Sequence, residues 1–541
     1  MRVMTVIVAF LTAVLVAIGV CAAPPEQVML PMSDGTKLAT DIHLPGQHGA
    51  WPVLLMRSTY GRTGGGVEGF VERGYAVVVQ DVRGMGDSEG EEHVFYASGW
   101  RPDQHDGADT VAWIHAQDWC NGKVGTMGGS ALGITQMLLA PATDLLDAQF
   151  IQVAPASFYH EGIYHGGVWR KNLGEGWLAM IQQPHVIDIW KSHPYYDPYW
   201  EYMNATAKAP ETTAPAVFVG GWYDIFQQGT IDAFTAREER GGTGAKGNNY
   251  LVMKWSAHGP DITEDYTFDE NRFDLRVSRM REAFFEARLK GDPSALEEYA
   301  KVNYYVLGAD TAGAPGNEWR TADTWPPYAT TATAYYLHAD GTLAKEEPAE
   351  AGAARTFTYD PGDPYPTHGG ANLILPAGPF DQRKYSTTRN DLLKFATAPL
   401  EAPLEFTGRV KVRLYVSTDA PDTDFTAKLV DLYPEPDGRE ILLLDNIQRV
   451  KLRKRLSEPE PLLGGPEEVA ALDIDLWSMA FIFEKGHRIG LHISSSNHPR
   501  FEANPNTGDD HPNGEARPAR NTVHLDATHP SALVLPVRPG A

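Results

Sequence analysis

Ser130 stands in the run Gly128-Gly129-Ser130-Ala131-Leu132-Gly133. A strand-like Lys123-Val124-Gly125-Thr126-Met127 precedes it, and a helix-like Ile134-Thr135-Gln136-Met137-Leu138-Leu139-Ala140 follows. Small residues at a strand-to-helix turn let the backbone fold sharply and hold a hydroxyl above a sheet, with a helix N-terminus behind it. Such a serine is a candidate nucleophile for acyl transfer or hydrolysis. An ordinary glycine-rich turn is the plainer alternative, and the run alone does not separate the two. Gly86-Asp87-Ser88-Glu89-Gly90 fits the G-x-S-x-G pentapeptide literally, whereas Ser130 has Leu132 where the second glycine belongs. Yet carboxylates flank Ser88 and Glu91 and Glu92 lie beyond it, a field that opposes a developing oxyanion. No helical period follows Ser88 either. We therefore read Ser88 as part of a polar turn and Ser130 as the nucleophile.

A serine nucleophile needs a base, and the base needs a group that orients it. In an α/β sheet the expected chain order is serine, acid, histidine, each on a loop after a strand. Asp224 ends the run Val217-Phe218-Val219-Gly220-Gly221-Trp222-Tyr223-Asp224, directly beyond a strand. His258 ends Leu251-Val252-Met253-Lys254-Trp255-Ser256-Ala257-His258, the same arrangement one strand later. Either residue alone reads as a surface or capping residue; their shared placement in the required order makes them a pair. His93, His105 and His115 precede Ser130 and break the order. His160, His165, His185 and His193 fall in a segment read below as a lid, where a general base is the weaker reading.

These residues must be positioned by an alternating framework. Pro52-Val53-Leu54-Leu55-Met56 and Tyr75-Ala76-Val77-Val78-Val79-Gln80 are unbroken apolar runs, as in strands buried on both faces. Helical segments at Val67 to Gly74 and Asp106 to Gln117 lie between such runs, and Ala216 to Gly220 and Tyr250 to Lys254 resume them. The alternation predicts a mostly parallel α/β sheet. Residues 158–210 interrupt it with Phe158, Tyr159, Tyr164, Trp169, Trp177, Trp190, Tyr195, Tyr196, Tyr199, Trp200 and Tyr202. An insertion of this kind can form a lid that walls a substrate pocket, although core packing is the better reading for any one ring. Beyond about residue 325 the texture turns all-β. Phe406 to Val416 alternates with period two, and Phe425 to Leu432 and Arg488 to Ile493 are read as continuing it, as in a sandwich or jelly roll.

Composition bounds the partners. At 541 residues, with 43% hydrophobic and 10% aromatic side chains, the chain suits two or three well-cored domains. A formal net charge of −24 argues against nucleic acid and anionic membranes. Arg2, the apolar run Val3 to Val20 and the small residues that follow describe a secretory signal over residues 1–22, with Ala23 first after cleavage. Lipidation at Cys21 and a retained anchor are the lesser alternatives. No other long apolar segment exists, so no stable membrane span is expected after signal removal. With only Cys21 and Cys120, a disulfide framework is excluded, and Cys120 is read as a buried structural thiol. No paired cysteine or clustered histidine points to a metal.

Taken together, the motifs resemble the cocaine esterase / Xaa-Pro dipeptidyl-peptidase-like serine hydrolases, which include α-amino acid ester hydrolases and glutaryl acylases. The resemblance rests on Arg57-Ser58-Thr59-Tyr60, Gln80-Asp81-Val82-Arg83-Gly84-Met85-Gly86-Asp87-Ser88-Glu89-Gly90 and Trp119-Cys120-Asn121-Gly122-Lys123-Val124-Gly125. It continues through the Ser130 turn, Gly220-Gly221-Trp222-Tyr223-Asp224, Trp255-Ser256-Ala257-His258 and Asp422-Thr423-Asp424-Phe425. It implies an α/β-hydrolase in two parts (residues 23–157 and 211–325), a helical cap (158–210) and a C-terminal jelly-roll domain (326–541). It further implies glycine at the third position after the nucleophile, here Gly133, and an oxyanion hole from the Tyr60 hydroxyl and the Ala131 amide. The family's usual tyrosine after the nucleophile is Ala131 here, which keeps the backbone donor and makes the pocket lining smaller at that point.

α-Amino acid ester hydrolases carry carboxylates where this chain has Phe226 and Gln227, so an ammonium-binding subclass is disfavoured. A dipeptidyl-peptidase would also need an acidic anchor, for which Glu161, Glu175, Asp188, Asp197 and Glu201 of the lid are available. The expectation is an exported serine hydrolase acting on a small ester or amide through Ser130, His258 and Asp224, with neither cofactor nor metal. Self-association stays open. The alternatives are an Xaa-Pro dipeptidyl-peptidase or acylase and, in a different class, a non-catalytic protein whose jelly roll binds carbohydrate.

Overall fold

The structure is a computed structural model that describes residues 24–540, apart from 64–65, 92, 260–263, 463–464 and 466–467. The signal segment and Cys21 therefore lie outside the described residues. The unbroken apolar runs form strands because each must bury both faces. In chain order these are β1 (Glu26–Pro31), β2 (Lys37–His43), β3 (Trp51–Ser58), β4 (Ala76–Asp81), β5 (Cys120–Gly129) and β6 (Ala148–Gln152). Helices α1 (Val67–Glu72), α2 (Asp106–His115) and α3 (Ala131–Leu139) lie among them. The cap follows, with β7 (Tyr164–His165), β8 (Val168–Trp169), α4 (Lys171–Met180), α5 (Val186–Lys191) and α6 (Pro198–Glu201). The sheet then resumes through β9 (Ala216–Tyr223), α7 (Gln227–Arg240), β10 (Tyr250–Ala257), α8 (Val277–Leu289), β11 (Val302–Val306) and β12 (Glu318–Ala322).

The strand order is β1-β2-β4-β3-β5-β6-β9-β10-β11-β12, which places β5 near the middle. The stretch from β4 to β11 is parallel throughout, and β1, β2 and β12 add antiparallel edges. Alternate residues of a strand serve opposite layers. Leu54, Val77, Val79 and Phe150 pack against Phe70 of α1 and Met280, Phe284 and Phe285 of α8. Val53, Leu55, Val78 and Val124 face Val111 and Ile114 of α2 and Leu139 of α3.

The cap is not helical throughout. It opens with a π-helical turn, Phe158–Ile163, followed by the small β7–β8 hairpin, and only then do α4 to α6 form. Five of its aromatics build its own core: Tyr159, Tyr164, Trp169, Trp190 and Trp200 are buried. Cys120 is half-buried rather than buried, and its sulfur accepts the Gly122 N–H.

The C-terminal domain is a jelly-roll-type sandwich. Its strands are β13 (Thr331–Leu337), β14 (Leu343–Ala344), β15 (Ala354–Tyr359), β16 (Leu393–Ala396), β17 (Leu404–Thr418) and β18 (Asp424–Leu432). They continue with β19 (Glu440–Arg449), β20 (Ala470–Phe483), β21 (Arg488–Ser494), β22 (Ala519–Asp526), β23 (His529–Pro530) and β24 (Ala532–Val537). One sheet runs β14-β13-β24-β17-β22-β15 with β20 paired to β17 and β23 to β22; the other runs β16-β21-β18-β19. Along β17, exposed Arg409, Lys411 and Arg413 alternate with buried Val410, Val412 and Leu414, as expected. Along β18 the alternation fails, because all nine residues are buried. β18 is an inner strand covered on both sides, and its polar groups are paired. Lys428 Nζ donates to Gln382 at 3.2 Å and lies 3.8 Å from Asp445. β21 behaves alike, buried from Ile489 onward. Backbone bonds from the Leu307 N–H to the Ala480 carbonyl and from the Ile482 N–H to the Leu307 carbonyl join the sandwich to the end of β11.

Candidate active site

Ser130 sits at the β5–α3 junction with φ 55° and ψ −122°, a conformation that costs a non-glycine residue about 1–3 kcal/mol. Three backbone bonds offset that cost. The Ser130 N–H donates to the Gln152 carbonyl at 3.0 Å, and its own carbonyl accepts from Gly133 and Ile134 at 2.8 and 2.9 Å. Sterics explain why the second glycine is residue 133 and not 132. A Cβ on Gly133 would lie 2.8 Å from both the Gln152 carbonyl oxygen and the Ala154 Cβ, where β6 passes the helix start. Leu132 is on the outer side of the turn, and Gly128, at φ +143°, makes room for it; a Cβ there would meet the Leu132 Cβ at 2.5 Å.

Asp224 and His258 are brought together by a β-bulge. β9 and β10 pair in register from Val217 and Tyr250 to Gly221 and Lys254, and then Ala257 rather than Ser256 faces Tyr223. One extra residue in β10 re-aims the chain that follows. Gly221 admits it, since a Cβ there would stand 2.2 Å from the Ser256 carbonyl oxygen. His258 Nδ1–H then donates to Asp224 Oδ2 at 2.6 Å, and Nε2 accepts the Ser130 hydroxyl at 2.8 Å. Asp224 is fully buried, and its other oxygen accepts the Phe226 N–H at 2.7 Å. A carboxylate can only accept, so it requires the Nδ1–H tautomer and leaves the Nε2 lone pair for the serine proton. The Phe226 ring meets the imidazole edge-on, with centroids 5.5 Å apart and planes at 87°. The arrangement can deprotonate a serine hydroxyl and hold the resulting imidazolium.

Ser130 opens into a narrow pocket with about 20 Å³ of free space, roughly one water. Its apolar walls come from all parts of the molecule: Ile134, Ile225 and Phe226 of the sheet domain, Phe158 and Trp177 of the cap, and Leu373 of the sandwich. No charged residue is among the described residues that line it. Phe95 closes one end, stacked on Trp177 at 5.6 Å and edge-on to Phe158 at 5.4 Å. Its φ of 70°, next to a φ of 22° at Val94, puts two bulky residues in the left-handed region beside Ser130. Ala131 is the first residue of α3, so helical geometry leaves its N–H without an intrahelical carbonyl. Tyr60, on the loop after β3, is 46% exposed, and its oxygen accepts the Trp177 indole N–H at 3.0 Å.

Other residues singled out in the sequence lie elsewhere. The Ser88 hydroxyl accepts the Ala39 N–H at 2.9 Å and donates to the Asp81 carbonyl at 2.8 Å, bracing a turn. His160 is hydrogen-bonded to Ser157, and burial holds its pKa down to about 4. His165 bonds Asn446 and the Glu161 carbonyl, and His193 bonds Asp197. None of the lid carboxylates lines the pocket. Glu161 is turned away and accepts the Ser157 N–H at 2.6 Å; burial and the Asp232 carboxylate push its carboxyl above the usual range. Glu175 is paired with Lys171 and Lys191. Gln227 is buried against the sandwich, donating to the Ser478 carbonyl, so only Phe226 of that pair faces the pocket.

Three contributors were not singled out by the sequence reading. Phe95 and Leu373 come from irregular segments with no periodic signal. Arg170, 1% exposed, ties the cap to the acid loop: one guanidinium nitrogen donates to the carbonyls of Glu161, Gly162 and Ile225, each at 2.9 Å. Its only sequence signal is a cation inside an aromatic segment.

Known proteins resemble this chain over nearly its whole length. The sequence model of the X-Pro dipeptidyl-peptidase (S15 family) matches residues 34–185 and 178–260, and that of the X-Pro dipeptidyl-peptidase C-terminal non-catalytic domain matches 294–534. The cocaine esterase of Rhodococcus sp. (strain MB1 Bresler) is 33% identical over 589 residues, covering 95% of this chain and 98% of its own. Among solved structures, an α-amino acid ester hydrolase superposes with a TM-score of 0.79 at 25% identity, covering 95% of this chain and 96% of its own. An aminopeptidase from a marine sediment Thaumarchaeota archaeon shares the fold, with a TM-score of 0.80, 23% identity and coverage of 95% and 96%. The likeness extends through both domains and includes the turn, the strand ends and the sandwich, so the chain belongs to the cocaine esterase / X-Pro dipeptidyl-peptidase-like family of serine hydrolases.

Proposed function

We propose that this chain is an exported esterase for small apolar acyl groups, working through an acyl-enzyme on Ser130. The observation that carries the reading is the Ser130–His258–Asp224 hydrogen-bonded chain opening into a pocket with no charged lining. Ser130 Oγ attacks the ester carbonyl carbon as its proton passes to His258 Nε2, and Asp224 stabilises the imidazolium. The carbonyl oxygen, now an oxyanion, is held by the Tyr60 hydroxyl and the Ala131 N–H. Collapse breaks the bond to the leaving alkoxide, which takes the proton from His258. Water, deprotonated by the same imidazole, then attacks the acyl-serine and releases the acid.

An ester is favoured over an N-terminal dipeptide because a free ammonium would need a buried carboxylate beside Ser130. Phe226 and Gln227 stand where α-amino acid ester hydrolases carry such groups, and Glu161 faces elsewhere. A relative named for cocaine ester cleavage agrees with this choice. The test is hydrolysis of a short-chain aryl ester and an Xaa-Pro anilide side by side, with the Ser130→Ala protein as blank. Ester turnover should dominate; dominant anilide cleavage would make the protein a dipeptidyl-peptidase. A protein that no serine-directed phosphonate labels would instead be a binding protein.

Export rests on residues 1–22. N-terminal sequencing of protein recovered outside the cytoplasm should begin at Ala23. A lipid on Cys21 would mean an anchored lipoprotein, and an intact Met1 on cytoplasmic protein would overturn export.

A further inference from the structure

The C-terminal end of the sandwich brings two histidines and an aspartate onto one face of a tight hairpin. His524 and Asp526 are two residues apart on β22, so their side chains project from the same side of the strand. β23 returns after a two-residue turn, and its His529 is the cross-strand partner of Asp526, which adds it to that face. One ligand atom from each residue lies within 4.8 Å of the other two. His529 Nδ1 is 3.3 Å from both carboxylate oxygens of Asp526. Ligand atoms bound tetrahedrally at about 2.0–2.1 Å from zinc stand about 3.3–3.4 Å apart. Two of the three groups are thus already at coordinating separation, and the third closes by side-chain rotation.

We propose that His524, Asp526 and His529 form a binding site for a divalent transition-metal ion of the Zn²⁺ class, separate from the hydrolase centre. The donor set of two imidazoles and one carboxylate suits that class, and a solvent molecule would complete four-coordination. The surroundings resemble an orienting outer shell. Ser417 Oγ lies 3.0 Å from His524 Nε2, so that nitrogen can carry the proton and leave Nδ1 for a metal. Ser531 braces the same strand, donating to the His524 carbonyl at 2.7 Å and accepting the Tyr415 N–H at 2.9 Å.

Asp526 is 5% exposed, and among the described residues its charged partner is His529, not a lysine or arginine. Its Oδ1 accepts the N–H groups of Thr528 and His529 at 2.7 and 2.9 Å, a turn-capping duty that explains the aspartate but not the two imidazoles beside it. None of the three residues lines the Ser130 pocket. A bound ion would therefore clamp the hairpin that launches β24, the strand paired with both β13 and β17, and act on stability rather than on turnover.

The test uses full-length mature protein without a histidine tag, stripped with chelator and titrated with Zn²⁺ by calorimetry and with Co²⁺ by visible absorption. The expected result is about one equivalent per chain, intense Co²⁺ d–d bands of a four-coordinate site, and a Tm that rises with Zn²⁺. The His524→Gln/His529→Gln double variant should lose the equivalent, the bands and the Tm shift while keeping the parent's ester turnover, which also reports that it is folded. Asp526→Asn retains an oxygen for the turn amides and should bind the ion more weakly without unfolding. Should the double variant not fold, His529→Gln alone, at the partly exposed position, carries the comparison. Absence of a stoichiometric ion in the parent, or its retention in the variants, would overturn the proposal.

Discussion

Ser130→Ala is expected to lower kcat/KM for a short-chain aryl ester by about 10⁴–10⁶-fold, whereas Ser88→Ala should leave it nearly unchanged. The first substitution removes the attacking oxygen and strands His258 without its 2.8 Å partner. The elbow's backbone bonds do not involve the hydroxyl, so the protein should stay folded. The second substitution removes a hydroxyl that bridges Ala39 and Asp81, and it should cost about 1–2 kcal/mol of stability with little change in chemistry. Steady-state kinetics and denaturant melts on the two variants separate the effects. The reverse pattern, with activity lost at Ser88 and kept at Ser130, would sink the assignment despite the better pentapeptide match at Ser88.

Tyr60→Phe is expected to lower kcat by about 10²–10³-fold with little change in KM. A donor aimed at a developing oxyanion acts in the transition state and not in the ground state, so its loss appears in kcat. The Trp177 N–H already occupies one lone pair of the Tyr60 oxygen, which restrains the phenol while leaving its hydrogen for another acceptor. Phenylalanine keeps the ring and removes only that hydrogen. A rise in KM at constant kcat would move Tyr60 from transition-state stabilisation to substrate binding.

Particular elements show how far the sequence reaches. Doubly covered strands announce themselves as apolar runs, so β3, β4, β9 and β10 were legible, and with them the strand ends that carry Asp224 and His258. Helix α2 ends two residues short of its expected limit, a boundary that local pattern does not define. β18 misleads for the opposite reason: Lys428 and Asp431 look solvent-facing until Gln382 and Asp445 arrive to pair with the first and His487 with the second. The cap's aromatics advertise a pocket, yet only Phe158 and Trp177 reach it, because the remainder must cover one another.

The sequence by itself determined the chemistry available: a serine on a small-residue turn, an acid and a base in the required order, and an all-β domain behind them. Those features are local, since sterics at a turn and burial along a strand act over a few residues. Tertiary structure decided the rest. It put the Ser130 hydroxyl on His258 and the Ser88 hydroxyl between Ala39 and Asp81, and it gave the steric reason for Gly133, because β6 passes there. It aimed His258 through a one-residue bulge and assembled an uncharged pocket from the sheet domain, the cap and the sandwich. Distances between residues more than a hundred positions apart depend on how layers pack, and no window of sequence contains that information.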